Sequence, residues 1–147
     1  MGIFYRIKNR IHNYKLNHMN LGRAKRKNGK LRIEKIPWDI HWQTNRYIAL
    51  IVRDYLRFFA ENTPAIGNVP EVEGLDGDAA YKVWIDKILS VAQEFDNLLS
   101  LIEKLDLYDD SDERLDSWQI EDLFKQKQET TNRAFDCLRE IFSELSW

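Results

Sequence analysis

A chain of 147 residues is about one domain's worth of sequence, and with 44% hydrophobic and 31% charged residues it is neither disordered by composition nor an integral membrane protein. A single cysteine, Cys137, excludes an intrachain disulfide framework and a cysteine-built zinc site, while only 6 Gly and 3 Pro argue for helices over a loop-rich β-sandwich. The formal net charge of −2 conceals a division: residues 1–35 carry 11 Lys/Arg against Glu34 alone, a net +10, and residues 36–147 carry 11 bases against 23 acids, a net −12.

The first element expected is a helix over residues 3–18. Ile3, Ile7, Ile11, Tyr14 and His18 recur at helical spacing, and Arg6, Lys8, Arg10 and Lys15 lie mostly off that stripe, so the helix is amphipathic and basic. The beginning of the chain lacks the apolar region of a signal peptide, and Arg6 stands where a myristoylation motif needs Ser or Thr. Gly22 ends this helix, Asn28-Gly29 is a turn dipeptide, and Leu31 and Ile33 suit a brief extended piece. The run Arg23–Lys30 is expected to be exposed and mobile.

Pro37 and Asp39 open the second helix, with Asp39 a candidate N-cap, and it runs from about 40 to 61. Its apolar residues are dense (Tyr47, Ile48, Leu50, Ile51, Val52, Tyr55, Leu56, Phe58 and Phe59 among them), which predicts the central helix of the fold. Arg46, Arg53 and Arg57 form one polar seam along it, with Asp54 beside them. Pro64 ends it, because the residue before a proline avoids the α region. Residues 62–78 then read as a long loop holding two of the three prolines and three of the six glycines, pinned by Ile66 and Val69.

The third helix, 79–106, carries Trp84, Ile88, Val91, Phe95, Leu98, Ile102 and Leu105 at alternating spacings of four and three, a heptad row that demands a long helical partner in this chain or in a second copy. An acidic link follows over 106–116, with five Asp and one Glu against Arg114. The last helix is expected from 117 to 145, with Ile120, Leu123, Phe124, Leu138, Ile141, Phe142 and Leu145 in helical register. Its middle, 125–132, is polar, and Lys127 and Thr131 fall on the extrapolated stripe. The resulting expectation is an all-α single domain over 1–147: a bundle of three long helices with a shorter basic N-terminal helix and arm over 1–35.

Motifs for chemistry are missing. The sequence contains no Gly-x-Gly-x-x-Gly, no phosphate-loop signature and no Gly-x-Ser-x-Gly elbow. His12, His18 and His41 form no i, i+4 metal pair, and the first two sit among cations. A calcium loop starting at Asp109 would put Arg114 where glycine is required, and one starting at Asp76 would put Ala80 and Lys82 at ligand positions. Cys137, beside Leu138 on an apolar stripe, reads as packing material. Trp38 and Trp42, and Phe4 with Tyr14, are at helix-face spacing, which suits core packing better than base stacking. No catalytic residue, metal or cofactor is expected, and the chain reads as a non-enzymatic protein.

Several pieces in order are similar to a family of small uncharacterised proteins of tailed phages and prophages. They are Arg6–Ile11, Leu21–Arg26, Trp38-Asp39, Ile48-Ala49, the ending Leu56–Phe59–Glu61–Asn62–Thr63, and Trp84–Leu89 after a Gly/Pro loop. The likeness covers residues 6–100, and its Asp78–Tyr81 stretch lacks the Trp-Glu-Glu lead-in of that family. The family has no established activity, so the resemblance implies origin only: a phage product in the bacterial host cytoplasm.

With that origin, the expected role is an accessory protein that binds and inhibits a host protein, such as an antiviral-defence component. Asp106, Asp109, Asp110, Asp112, Glu113 and Asp116 are the candidate face for a basic partner surface. The alternative is a nucleic-acid-binding accessory protein using residues 6–32, with Arg6, Arg10, Arg23, Lys25, Arg26, Lys27, Lys30 and Arg32 on the polyanion. A third arrangement folds the basic arm on the chain's own acidic body. No membrane partner is expected, and the 84–105 seam equally permits a homo-oligomer.

Overall fold

The computed structural model describes residues 44–109 and 116–146, together with Ile7, Ile11 and the strand segments 25–27 and 30–32. The strands are short: β1, Lys25–Lys27, pairs antiparallel with β2, Lys30–Arg32, in the register Lys25↔Arg32, Arg26↔Leu31, Lys27↔Lys30. That register is the one a two-residue Asn-Gly connection selects, and Asn28-Gly29 separates the strands in the sequence. Within the run Arg23–Lys30, expected to be exposed, the described residues 25–27 and 30 are thus paired strand. Ile7 and Ile11 are helical; the remainder of the helix expected over 3–18, the Asp39 cap, Trp38 and Trp42 lie outside the described residues.

Three long helices make up the rest: α1, Thr44–Asn62; α2, Gly77–Asp109; and α3, Ser117–Ile141, which tightens into a 3₁₀ turn over Phe142–Glu144. Helix α2 packs against both α1 and α3. Among the described elements the helix with two neighbours is therefore α2, where the sequence expectation gave that place to the second helix. The reason is geometric. The heptad row supplies one face of α2, and Ala92 and Leu99, both buried, widen it enough to meet two neighbours. Helix α1 is apolar nearly all round, but Ile48, Tyr55 and Phe58 remain exposed.

Six of the seven heptad residues, Trp84 to Ile102, are buried within one chain, and Leu105 is half-buried. The row is satisfied by intrachain packing, which removes it as a seam for a second copy. The α2 boundaries moved by two and three residues, so that the helix runs on through Asp109 and draws Asp106 and Asp109 out of the acidic link. In α3 the buried threonine of the polar middle is Thr130, one position from the extrapolated stripe, while Thr131 is half-buried and its Oγ1 donates to the Lys127 carbonyl at 2.7 Å.

The connection from α1 to α2 is fixed at both ends. Thr63 N–H donates to the Phe59 carbonyl at 2.8 Å, and the Tyr81 hydroxyl donates to the Thr63 carbonyl at 3.1 Å. A 3₁₀ turn over Pro70–Val72 begins on proline, whose missing N–H costs nothing there. Gly74, at φ 78°, takes the left-handed conformation that favours glycine. Val69 is buried, as expected, but Ile66 is exposed; the second anchor is Gly67. A Cβ on Gly67 would stand 2.6–2.8 Å from three atoms of the buried Trp84 ring, so only glycine lets the loop lie flat on the indole.

Candidate binding surfaces

The arginine seam of α1 has its partners on α2. Arg46 pairs with Asp106, Arg53 Nη1 donates to Asp96 Oδ1 at 2.9 Å while its Nε donates to Asp54 Oδ1 at 2.9 Å, and Arg57 lies 3.4 Å from the other Asp96 oxygen. As the α1 number rises the α2 number falls, which is the signature of antiparallel packing. Arg46 and Arg53 are buried, so these are contacts of the protein interior, with the carboxylates at its margin.

This arrangement redistributes the candidate acidic face. Asp106 is turned into the α1–α2 interface by Arg46. Asp116 is the N-cap of α3, where its backbone N–H donates to Gln119 Oε1 at 3.0 Å, the reciprocal contact of a capping box. Asp109 is the last residue of α2. Asp110, Asp112 and Glu113 lie outside the described residues. Of the six acids, Asp106 and Asp116 thus have contacts within the fold. Of the candidate polyanion contacts, Lys25, Arg26, Lys27, Lys30 and Arg32 sit on the ribbon; Arg6, Arg10 and Arg23 lie outside the described residues.

Surface ion pairs line the margin between α3 and α2. Arg133 Nε donates to Glu94 Oε2 at 2.7 Å, and the Lys87 ammonium joins Glu71 of the connecting loop to Glu140 of α3, the latter at 3.1 Å. Asn68 N–H donates to Glu144 Oε2 at 2.8 Å, tying the same loop to the end of α3. Burial works against the charge on Lys87, but hydrogen bonds and charge from Glu71 and Glu140 outweigh it and raise its value above that of an ordinary lysine. The hydrogen bond from Lys87 holds Glu71 below the usual carboxylate range. Cys137 is half-buried, and burial, followed by the charges of Glu140 and Glu94, pushes its thiol up. A raised value disfavours the thiolate, which is the opposite of what a nucleophile requires.

The feature that periodicity hides is on an exposed flank of α3. Ile120, Phe124, Phe135 and Phe142 are all exposed, Phe124 at 56% and Phe142 at 70%. Spacings of four, eleven and seven residues return to one helix face, so these side chains form a row. Phe135 is held by an edge-to-face contact with the buried Phe95, ring centroids 5.3 Å apart. The signal was present in the sequence, since Gln128 and Thr131 fill the vacant positions of the row: an apolar stripe with a polar centre is poorly suited to a core. Among the described residues no group of three or more His, Cys, Asp or Glu is arranged to hold a metal ion, and no helix is long and apolar enough to cross a membrane.

Comparison with known proteins adds no relative. No family model, no curated protein and no solved structure matches the chain.

Proposed function

We propose that this chain is a non-enzymatic binding protein that occupies a surface of a bacterial host protein and inhibits it. The resemblance of its short motifs to small phage and prophage proteins supports a host target, with an antiviral-defence component the natural class. The observation that carries the binding reading is the row Ile120, Phe124, Phe135 and Phe142 on α3. Aromatic side chains are enriched at the centres of protein interfaces, and four large apolar side chains left exposed on one face of a helix are suited to such a contact. The acids of the link between α2 and α3 stand near the start of this row in the chain and raise the association rate with a basic partner surface.

The test is a pair of variants. Phe124→Ser with Phe142→Ser removes two exposed rings and leaves folding unchanged by circular dichroism. A host protein captured from nuclease-treated lysate by the parent chain, purified, and then titrated by calorimetry should bind the parent and lose at least tenfold in affinity with the double variant, as expected for central interface aromatics. Equal affinity for both chains refutes the row as the contact surface. Capture that disappears on nuclease treatment refutes the protein-binding reading itself.

A further inference from the structure

The exposed row of α3 has an internal symmetry. Ile120 and Phe142 stand at its two ends, Phe124 and Phe135 inside them, and Gln128 and Thr131 in the middle. Each of these three pairs is centred within a residue of Thr130. The charges beside the row share that centre. Glu121 and Arg139 are 18 residues apart, five turns of helix, so they project on one flank of the row. Lys125 and Asp136 are 11 residues apart, about three turns, and lie further round on the same side. All four are exposed, and each pair joins an acid to a base.

We propose that this row is covered by the same row of a second copy of the chain, packed antiparallel about a two-fold axis at residues 129–131. A two-fold contact is isologous: where one residue meets another on the second copy, the reverse contact is made as well. In this register Phe124 meets Phe135 of the second copy, Ile120 meets Phe142, and Glu121 meets Arg139, each of them twice. Lys125 and Asp136 face each other at the margin. A parallel pairing would instead set Glu121 on Glu121 and Arg139 on Arg139, which is repulsive, so the charges select both direction and register. The polar middle meets itself with its groups already engaged inside the helix. Gln128 Nε2 donates to Asn132 Oδ1 at 3.1 Å, and Thr131 Oγ1 donates to the Lys127 carbonyl, so covering them leaves these hydrogen bonds intact. Arg139 also lies beside Asp136 of its own helix, but that pair is well exposed and opens at little cost. A formal net charge of −2 per chain opposes association only weakly. The inference rests on reading the row as a contact surface, and it names what covers that surface before a host protein does; the two occupants compete.

The experiment is sedimentation equilibrium on the full chain. The parent should show a reversible monomer–dimer equilibrium. Phe124→Ser with Phe142→Ser should weaken it about tenfold or more, with circular dichroism unchanged. Glu121→Arg alone and Arg139→Glu alone should each weaken it several-fold, because each sets like charges opposite one another twice. An equimolar mixture of those two variants should associate as tightly as the parent, since acid again faces base at both contacts. A parent that stays monomeric up to about 1 mM overturns the proposal. So does a dimer that the phenylalanine substitutions leave unchanged, and a mixture no tighter than the single variants overturns the antiparallel register. A chain that is monomeric throughout yet binds its host protein through Phe124 and Phe142 overturns the dimer and leaves the proposed function standing. A dimer that needs those rings, beside a host protein bound equally by parent and double variant, does the reverse.

Discussion

Against α1, helix α2 receives guanidinium groups that are almost wholly enclosed, Arg46 at 2% and Arg53 at 8% side-chain exposure; against α3 it is tied by Arg133, a side chain 54% exposed. The same chemistry, arginine to carboxylate, thus has two different consequences. A buried guanidinium has no water to fall back on, so a helix that slips by one turn leaves a stranded charge, and the α1–α2 pairing is confined to one register. The Arg133–Glu94 pair can break and rehydrate at little cost, so α3 is held mainly by its apolar contacts. That difference accords with a division of labour in which α1–α2 is the rigid part and α3 presents its outer row.

Asp96→Ala is the substitution that tests this contrast most directly. It removes one of the carboxylates that meet buried Arg53, which keeps Asp54, together with a partner of Arg57, and should cost about 1–3 kcal/mol in urea unfolding. A loss below about 1 kcal/mol would show that the α1–α2 seam is as dispensable as a surface pair. Gly67→Ala should cost about 1–3 kcal/mol, because the added methyl meets a Trp84 ring that is itself enclosed. A blue-shifted Trp84 emission preserved in that variant, with the other four tryptophans replaced by phenylalanine, would mean that the loop moves away and the ring stays buried. Arg133→Ala should change stability by less than about 1 kcal/mol, and a larger loss would erase the distinction between the two faces of α2.

The smallest effect expected is a pH dependence at the Lys87 clamp. Glu71 is depressed, so its contribution is present above the ordinary carboxylate range and is lost as pH falls through the lowered value. Lys87 is raised, so its contribution is present below the ordinary lysine range and is lost as pH rises through the raised value. Between those limits the clamp is at full strength. Glu71 and Glu140 are well exposed, and solvent screening keeps the effect small. Comparing the acid limb of thermal unfolding for the parent and Glu71→Gln measures it, and superimposable limbs would show that the contact contributes nothing to folding.

Much of the helical layout is legible in the sequence because periodicity is a local property. The row from Trp84 to Ile102 and the break at Pro64 follow from spacing and backbone sterics alone. The arginine seam was legible as a line of charge, but its partners were not. Asp96 and Asp106 are 43 and 60 residues from Arg53 and Arg46, and nothing local distinguishes them from the solvated acids around them. Asp106 in particular has acidic neighbours in sequence, which read as a link, whereas the helix runs past it to Asp109. Apolar density misidentified the central helix for a related reason. Density counts side chains that could be buried, and burial of α1 on every side requires neighbours that the described elements do not supply at Ile48, Tyr55 and Phe58. The candidate surface on α3 was half-visible, as a stripe with polar residues where a core would need apolar ones.

The order in which the helices pack has a kinetic consequence. Each packed pair of long helices among the described residues, α1 with α2 and α2 with α3, is consecutive in the chain, so each of these interfaces closes across a single connection. Few distant segments must find one another before contacts begin to compensate for lost chain entropy, and such local topologies fold on the microsecond-to-millisecond scale. Closure of α1 onto α2 requires the 63–76 loop to settle on the Trp84 ring and Arg46 and Arg53 to reach their carboxylates, whereas α3 closes on α2 across a separate connection.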